Sequence, residues 1–382
     1  MFPVTMVGSW PRPVELLRAR KRLRAGQLDA AAFDQLADQA VRAVLDIQHQ
    51  VGVDIVTDGE QRRDNFYSFV ADKLDGVQLM TLAEMLDIVE DKVGFEKILQ
   101  TLDVPAYSLS NPTCVGRLER RRPLAVEELR FLKQHTDRAI KIPLPGPYLL
   151  TRAMFVPEVT RQFYPNKEAL AVDVIRILRE EVRDLITEGV DFIQFDEPVL
   201  TEVAFNPKGT RTFMCASLAA RGDPKEELEF AVSLLNQVLE GITGPITGLH
   251  ICRGNWSQNE SILLRGSYHP LAPYLERINV RQLVLEYATE RAGDILRFGD
   301  KALGLGVVNP RTEAVESPED ILDDARQALR WYPPEHIFLN PDCGFGTFSN
   351  SPVNSVEIAS RKLTAIVTTA QQLREQFRKD GR

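Results

Sequence analysis

Cysteine and histidine are scarce in this chain, with four and five copies in 382 residues. The cysteines, Cys114, Cys215, Cys252 and Cys343, are well separated, so they do not read as the disulfide framework of a small secreted domain. Reduced thiols in a cytoplasmic protein are the expectation. No apolar run reaches the roughly 18–20 residues needed to cross a bilayer. The opening "MFPVTMVGSWPRP" has no charged n-region, long apolar stretch or small-residue cleavage site of a secretory leader. Positive charge is not in excess either: 46 Lys and Arg against 54 Asp and Glu give a formal charge of −8, which argues against a nucleic-acid partner. The basic cluster "RLERRRP" (117–123) is read as a solvated turn. There is no low-complexity tract, no Gly/Ser linker and no short-period repeat.

What is present is alternation. Eight short apolar runs end in polar or turn-forming residues: "VTMVGSWP" (4–11), "GVDIVTDGE" (52–60), "AIKIPLPGP" (139–147), "VDFIQFDEP" (190–198), "PITGLHICR" (245–253), "RQLVLEYA" (281–288), "KALGLGVVN" (301–309) and "HIFLNPDCG" (336–344). Helical stretches lie between them, such as 166–189, with Asn166 as N-cap and Gly189 as stop. Buried strand alternating with amphipathic helix implies parallel pairing, and eight such units predict a single (β/α)8 TIM barrel over residues 1–382. The length above the roughly 250 residues typical of that fold falls mainly at 66–125, read as a helix and hairpin inserted after the second strand. The aromatic string "NFYSF" (65–69) at its start is read as core or lid packing, with the lining of a donor pocket as the alternative.

Barrel active sites gather at the C-terminal ends of the strands. On a strand, residues i and i+2 share a face, which puts His250 and Cys252 about 6–7 Å apart at Cβ. An imidazole and a thiolate at that spacing suit two ligands of one tetrahedral zinc, and Glu286 and Cys343 sit at corresponding strand ends. The same residue types are also common in cores, so the pair alone leaves both readings open.

Seven segments in order sharpen the reading: the "GS" of the first run, "DGEQRR" followed by "DKLDGV", "PGP", "QFDEP", "HIC", the Glu of "LEYATER", and "NPDCG". Together they resemble the catalytic, C-terminal barrel of cobalamin-independent methionine synthase, nearly end to end. The resemblance implies a zinc-dependent methyltransferase of methionine biosynthesis. It implies zinc held by His250, Cys252, Glu286 and Cys343, and homocysteine held by Ser9, Glu60 and Asp196. Chemically, an amino-acid ammonium wants carboxylates such as Glu60 and Asp196, and its carboxylate wants donors such as the Ser9 hydroxyl and backbone N–H groups. The bland alternatives are a helix cap for Asp196 and an ion pair of Glu60 with Arg62 or Arg63. Bound to zinc, the substrate thiol loses its proton and becomes the nucleophile, and Glu286 is the ligand expected to lengthen or leave.

The donor side departs from that family. Full-length synthases resemble two barrels in tandem, and this chain matches only the second. The family's histidine thought to protonate the leaving folate is replaced by Arg311 in "VVNPRTE", and "PGPYLLTRAMF" lacks the aromatic expected to stack the folate. Arginine is a poor general acid, so His269 in "SYHPL" is the other candidate for proton transfer. The methyl donor is accordingly methyltetrahydrofolate or another methyl carrier, free or protein-bound. An alternative is thiol alkylation like that of epoxyalkane:coenzyme M transferase, for which Arg152, Arg253 and Arg311 would form a cationic pocket. Two others are a non-catalytic zinc-containing binding protein and a zinc-free decarboxylase of the uroporphyrinogen type.

Overall fold

A computed structural model describes residues 1–88, 92–93, 110–205, 222–255, 257–349 and 352–379. In chain order its strands are β1 (Ile55–Val56), β2 (Leu74–Thr81), β3 (Ser110–Arg120), β4 (Ala139–Pro145), β5 (Phe192–Asp196), β6 (Ile246–Ile251), β7 (Gln282–Glu286), β8 (Ala302–Val308) and β9 (Ile337–Pro341). All except β2 and β3 form one sheet in the order β1-β4-β5-β6-β7-β8-β9, each neighbour parallel. Residues 4 and 5 close it, because Val4 bridges Leu339 and Thr5 bridges Ile55, both in parallel. The result is the expected eight-stranded α/β barrel, with every one of the eight apolar runs supplying one position in the ring.

Local sequence explains the helices around it. Asn166 accepts from Ala169 N at 2.8 Å and starts Lys167–Thr187, while Gly189 turns the chain with φ 76°. Asp29 caps Ala30–Val51 in the same way, and Ser317 makes a capping box with Asp320 at Pro318–Ala328. The outer layer thins after β6 and β7, where among the described residues the connections hold only Ala272–Leu275 and short 3-10 turns at Glu260–Ile262 and Glu290–Ala292. No helix of the described residues is long and apolar enough to cross a membrane.

β2 and β3 form a separate antiparallel hairpin. It leans on the segment that follows β4: Asn111 Nδ2 donates to Ala153 O at 2.7 Å, and Thr160 Oγ1 donates to Cys114 O at 3.0 Å. Part of the stretch 66–125 lies outside the described residues, as does Cys215. Tyr67 and Phe69 are buried in the main core, so this end of the aromatic string is packing. The arginine cluster is more than a solvated turn, because Arg120 reaches Glu181 and Asp184 on the helix Lys167–Thr187.

The barrel interior is layered. At the strand starts Ile55, Phe192 and Phe338 form an apolar plug with Ala139, Ile246 and Ala302. Two residues further along the strands, on the same face, come Lys141, Gln194 and Asn340, each 0% exposed. Two residues on again stand Pro143, Asp196, His250 and Asp342, at the mouth.

One interlock holds the mouth side. The Glu197 carboxylate, just past β5, accepts from Tyr148 N at 2.8 Å and Leu149 N at 2.9 Å, satisfying the first turn of the helix Pro147–Met154. A cap in this motif was the bland reading of Asp196, and the structure gives that task to Glu197. The fit leaves no room at Gly146, where a Cβ would lie 2.1 Å from Glu197 Oε1. Gly146→Ala is therefore expected to lower unfolding stability by about 1–3 kcal/mol, the usual cost of overpacking, in a denaturant titration.

Candidate active site

Three donor groups converge at the barrel mouth. His250 lies on β6, Cys252 directly follows it, and Cys343 comes two residues after β9. Their ligand atoms all lie within 4.8 Å of one another, and all three residues are buried. The Cys343 thiol donates to Cys252, which lowers the Cys252 pKa below that of an ordinary thiol and pushes Cys343 well above it. Parallel register sets Asp196 of β5 beside His250, with Oδ1 3.0 Å from Nδ1. His250 Nε2 faces the Asp342 carbonyl at 3.3 Å. Burial alone would lower the imidazole pKa, but the bond to Asp196 and the neighbouring Cys252 raise it to about 9. One imidazole and two thiols, one of them already favoured as thiolate, form a soft donor set that fits zinc.

Glu286, the fourth expected ligand, is not brought into this group. Its Oε1 accepts from Arg253 N at 2.8 Å and Arg253 Nη1 at 3.2 Å, and its Oε2 accepts from Asn255 Nδ2 and Arg291 Nη2, both at 3.0 Å. Against the effect of burial, Arg291 and Arg253 hold this carboxyl below its usual range. Its charge still raises the pKa of both thiols.

The expected amino-acid residues are also at the mouth. Glu60 is 2% exposed and holds a left-handed backbone, φ 53°. That conformation costs a non-glycine residue free energy and persists only where surroundings enforce it. Asp58 Oδ1 accepts from Glu60 N at 2.9 Å, and Arg12 Nη2 donates to Glu60 O at 2.9 Å. Among the described residues, Glu60 Oε2 has no hydrogen-bond partner, and the nearest cation, Arg12 Nη2, is 4.0 Å away. The ion pair considered with Arg62 or Arg63 is not formed, because Arg62 pairs with Asp38 and Arg63 with Glu128. Burial pushes Glu60 up to about 7, although the charges of Arg63 and Arg12 oppose it.

Ser9, 4% exposed, lies between the Glu60 turn and the Cys343 loop. A Cβ on Gly8 would fall 2.3 Å from Glu60 Oε1, and one on Gly344 would fall 2.0 Å from Ser9 Oγ. Glycine at both positions lets three loops approach this closely.

The donor-side candidates fare differently. Arg311 is buried and donates through Nε to Asn255 Oδ1 at 2.9 Å and through Nη2 to Glu260. It thus braces the Asn255 that holds Glu286. His269 is exposed on the surface, bonded to Ser267, and does not join the mouth, because "SYHP" turns away before Ala272–Leu275. The three arginines considered for a cationic pocket are each paired, Arg152 with Glu227, Arg253 with Glu286 and Arg311 with Glu260. Sequence reasoning missed Asn255, Arg291, Gln194 and Lys141. The first two had a signal in their positions, three residues after Cys252 and five after Glu286.

With this geometry in view, comparison with known proteins is specific. A family model described as "Cobalamin-independent synthase, Catalytic domain" matches residues 2–220 and 225–372. A methionine synthase of Saccharolobus solfataricus is 29% identical over all of this chain and 97% of its own length. One from Thermococcus kodakarensis is 28% identical over all of this chain and 96% of its own. Among solved structures, a B12-independent methionine synthase from Shewanella sp. W3-18-1 in complex with selenomethionine aligns with a TM-score of 0.73 at 24% identity, over 99% of both chains. That likeness concerns the fold.

Proposed function

The chain belongs to the cobalamin-independent methionine synthase family, and from that premise we propose that it transfers a methyl group to the sulfur of L-homocysteine at a zinc site. Its relatives from Saccharolobus solfataricus and Thermococcus kodakarensis are methionine synthases along nearly their whole length, which supports the reading. Residues 1–382 are read as one barrel domain, with roughly 66–125 as its insertion.

The observation that carries the proposal is the bond between Asp196 and His250 at 3.0 Å. It joins an acidic pocket suited to an ammonium group to a thiol-and-imidazole cluster suited to zinc. His250, Cys252 and Cys343 would hold the metal, and Glu286, held back by Arg253, Asn255 and Arg291, is the candidate for a weak fourth position. Zinc bound there supplies a cation that makes the substrate thiol a thiolate at neutral pH.

The chain's own residues do the rest. Glu60 presents an unpartnered carboxylate oxygen, and Asp196 a second carboxylate, to the substrate ammonium. Ser9 is placed to donate to the substrate carboxylate. Asp196 orients the His250 ring through Nδ1, the usual task of a carboxylate behind a ligating imidazole. On the donor side neither candidate for proton transfer stands free at the mouth: Arg311 is tied to Asn255 and Glu260, and His269 is on the surface. The methyl donor is therefore set broadly, as methyltetrahydrofolate or another methyl carrier, free or protein-bound.

The test is methionine formation by the zinc-loaded full chain from L-homocysteine, with methyltetrahydrofolate and methylcobalamin offered separately. Methionine from either donor is expected, with about one zinc per chain. Alkylation of coenzyme M in place of homocysteine, or full activity in metal-stripped protein, would overturn the proposal.

A further inference from the structure

Buried cations stand behind the carboxylates of the mouth. Glu286 has Arg253 and Arg291, and Glu60 has the charges of Arg63 and Arg12. Behind Asp196 there is a lysine instead. Lys141, on β4 and one interior layer below the mouth, is 0% exposed, and among the described residues no carboxylate pairs with it directly. Its Nζ donates to Met6 O and to Gln194 Oε1, the latter at 3.2 Å. Burying an ammonium without a carboxylate partner is costly, so the position calls for a reason.

Gln194 supplies it. Its Nε2 donates to Asp196 Oδ1 at 2.9 Å and to Val7 O at 3.0 Å. An ammonium can only donate, so it compels the Gln194 amide to turn its oxygen downward and its NH2 group upward. With the amide reversed, a carbonyl oxygen would face the Asp196 carboxylate. Asp196 Oδ1 thus has Gln194 Nε2 on one side and His250 Nδ1 on the other, which leaves Oδ2 for a ligand.

We propose that Lys141 is a positioning residue for the amino-acid substrate: acting through Gln194, it fixes the Asp196 carboxylate that receives the substrate ammonium. The inference rests on the homocysteine reading above. Burial drives Lys141 down to about 7, and the charges of Asp196 and Glu60 are what favour the ammonium form that orients Gln194.

The experiment is calorimetric titration of zinc-loaded full chain with L-homocysteine and with 4-mercaptobutyrate, which keeps the thiol and carboxylate and lacks the ammonium. Lys141→Met is expected to weaken homocysteine binding about 10- to 100-fold, the range for losing a residue that holds a binding group in place, and to leave 4-mercaptobutyrate binding unchanged. Gln194→Met cuts the relay one step higher and should give the same selective loss, even if Lys141→Met does not fold. The double variant should be no worse than either single one, because both break one chain of contacts. A folded variant that keeps the wild-type preference for homocysteine, or that loses both thiols equally, overturns the role of Lys141. A wild type that binds both thiols alike overturns the homocysteine reading itself and this inference with it.

Discussion

Cys343→Ala is expected to release the metal and abolish homocysteine-dependent activity while leaving the barrel folded. The three donors come from two parts of the ring, His250 and Cys252 from β6 and Cys343 from the loop after β9. Removing Cys343 leaves one imidazole and one thiol. Glu286 cannot readily take its place, since four hydrogen bonds from Arg253, Asn255 and Arg291 already hold its carboxylate. Losing an outer-shell partner typically weakens metal binding about 10- to 100-fold, and a lost ligand should exceed the upper end of that range. The measurement is zinc content after dialysis, with affinity from competition against a chelator.

A control exists within the same chain. Cys114 is buried in the hairpin, where its thiol donates to Gly116 O at 3.1 Å and burial pushes it up to about 11. Cys114→Ala should keep its zinc. The backbone bridges that close the ring, Val4 with Leu339 and Thr5 with Ile55, involve none of the three donors. Metal-free Cys343→Ala is therefore expected to melt close to metal-stripped wild type. Stoichiometric zinc in the variant would show that the donor set is wrong.

The eight strands are legible because each apolar run ends in a polar cluster, and the strand-end rule gathers His250, Cys252, Glu286 and Cys343, of which the fold brings the first two and the last together. Other features depend on neighbours distant in sequence. Glu286 looked like a free ligand because its partners return from two loops, "RGN" after Cys252 and "TER" after β7. Lys141 in "AIKIPLP" carries no local signal, because the sequence around a lysine on a strand does not say which covered face it takes. In a closed barrel both faces of a strand are covered, and the lysine points into the interior beneath Asp196. The thin outer layer after β6 and β7 follows from "GNWSQNES" and "ATERAGD", which carry too much glycine and too many small polar residues to sustain long helices. Asp196 and Glu197 are adjacent acids in one motif, yet one faces the barrel mouth and the other caps a helix. Strand alternation predicts that opposite facing, but only the fold shows which helix is capped.

Glu60→Gln should separate binding from stability in opposite directions. The carboxylate is fully buried, one of its oxygens has no hydrogen-bond partner among the described residues, and it is pushed up to about 7. Between its ordinary 4.5 and about 7, folded protein retains a proton that the unfolded chain has released. Its contribution to stability is thus fully present below pH 4.5 and is lost as pH rises through about 7, by on the order of 3 kcal/mol. Glutamine never ionises, so the variant should lack this decline and melt no lower than wild type at pH 8. Both residues must adopt the left-handed backbone of position 60, so strain there cancels in the comparison. Binding should move the other way. Loss of one partner from a buried charged hydrogen bond costs about 2–5 kcal/mol, or roughly 30- to several-thousand-fold in homocysteine affinity. In wild type, affinity should rise with pH through about 7 as Glu60 ionises, and in the variant that rise should be missing. A substrate thiol bound to the proposed metal would also release a proton, but it would do so in both proteins, so the difference between their pH profiles isolates Glu60. Superimposable profiles would remove Glu60 from the amino-acid pocket and leave Asp196 as the sole carboxylate there facing the ammonium.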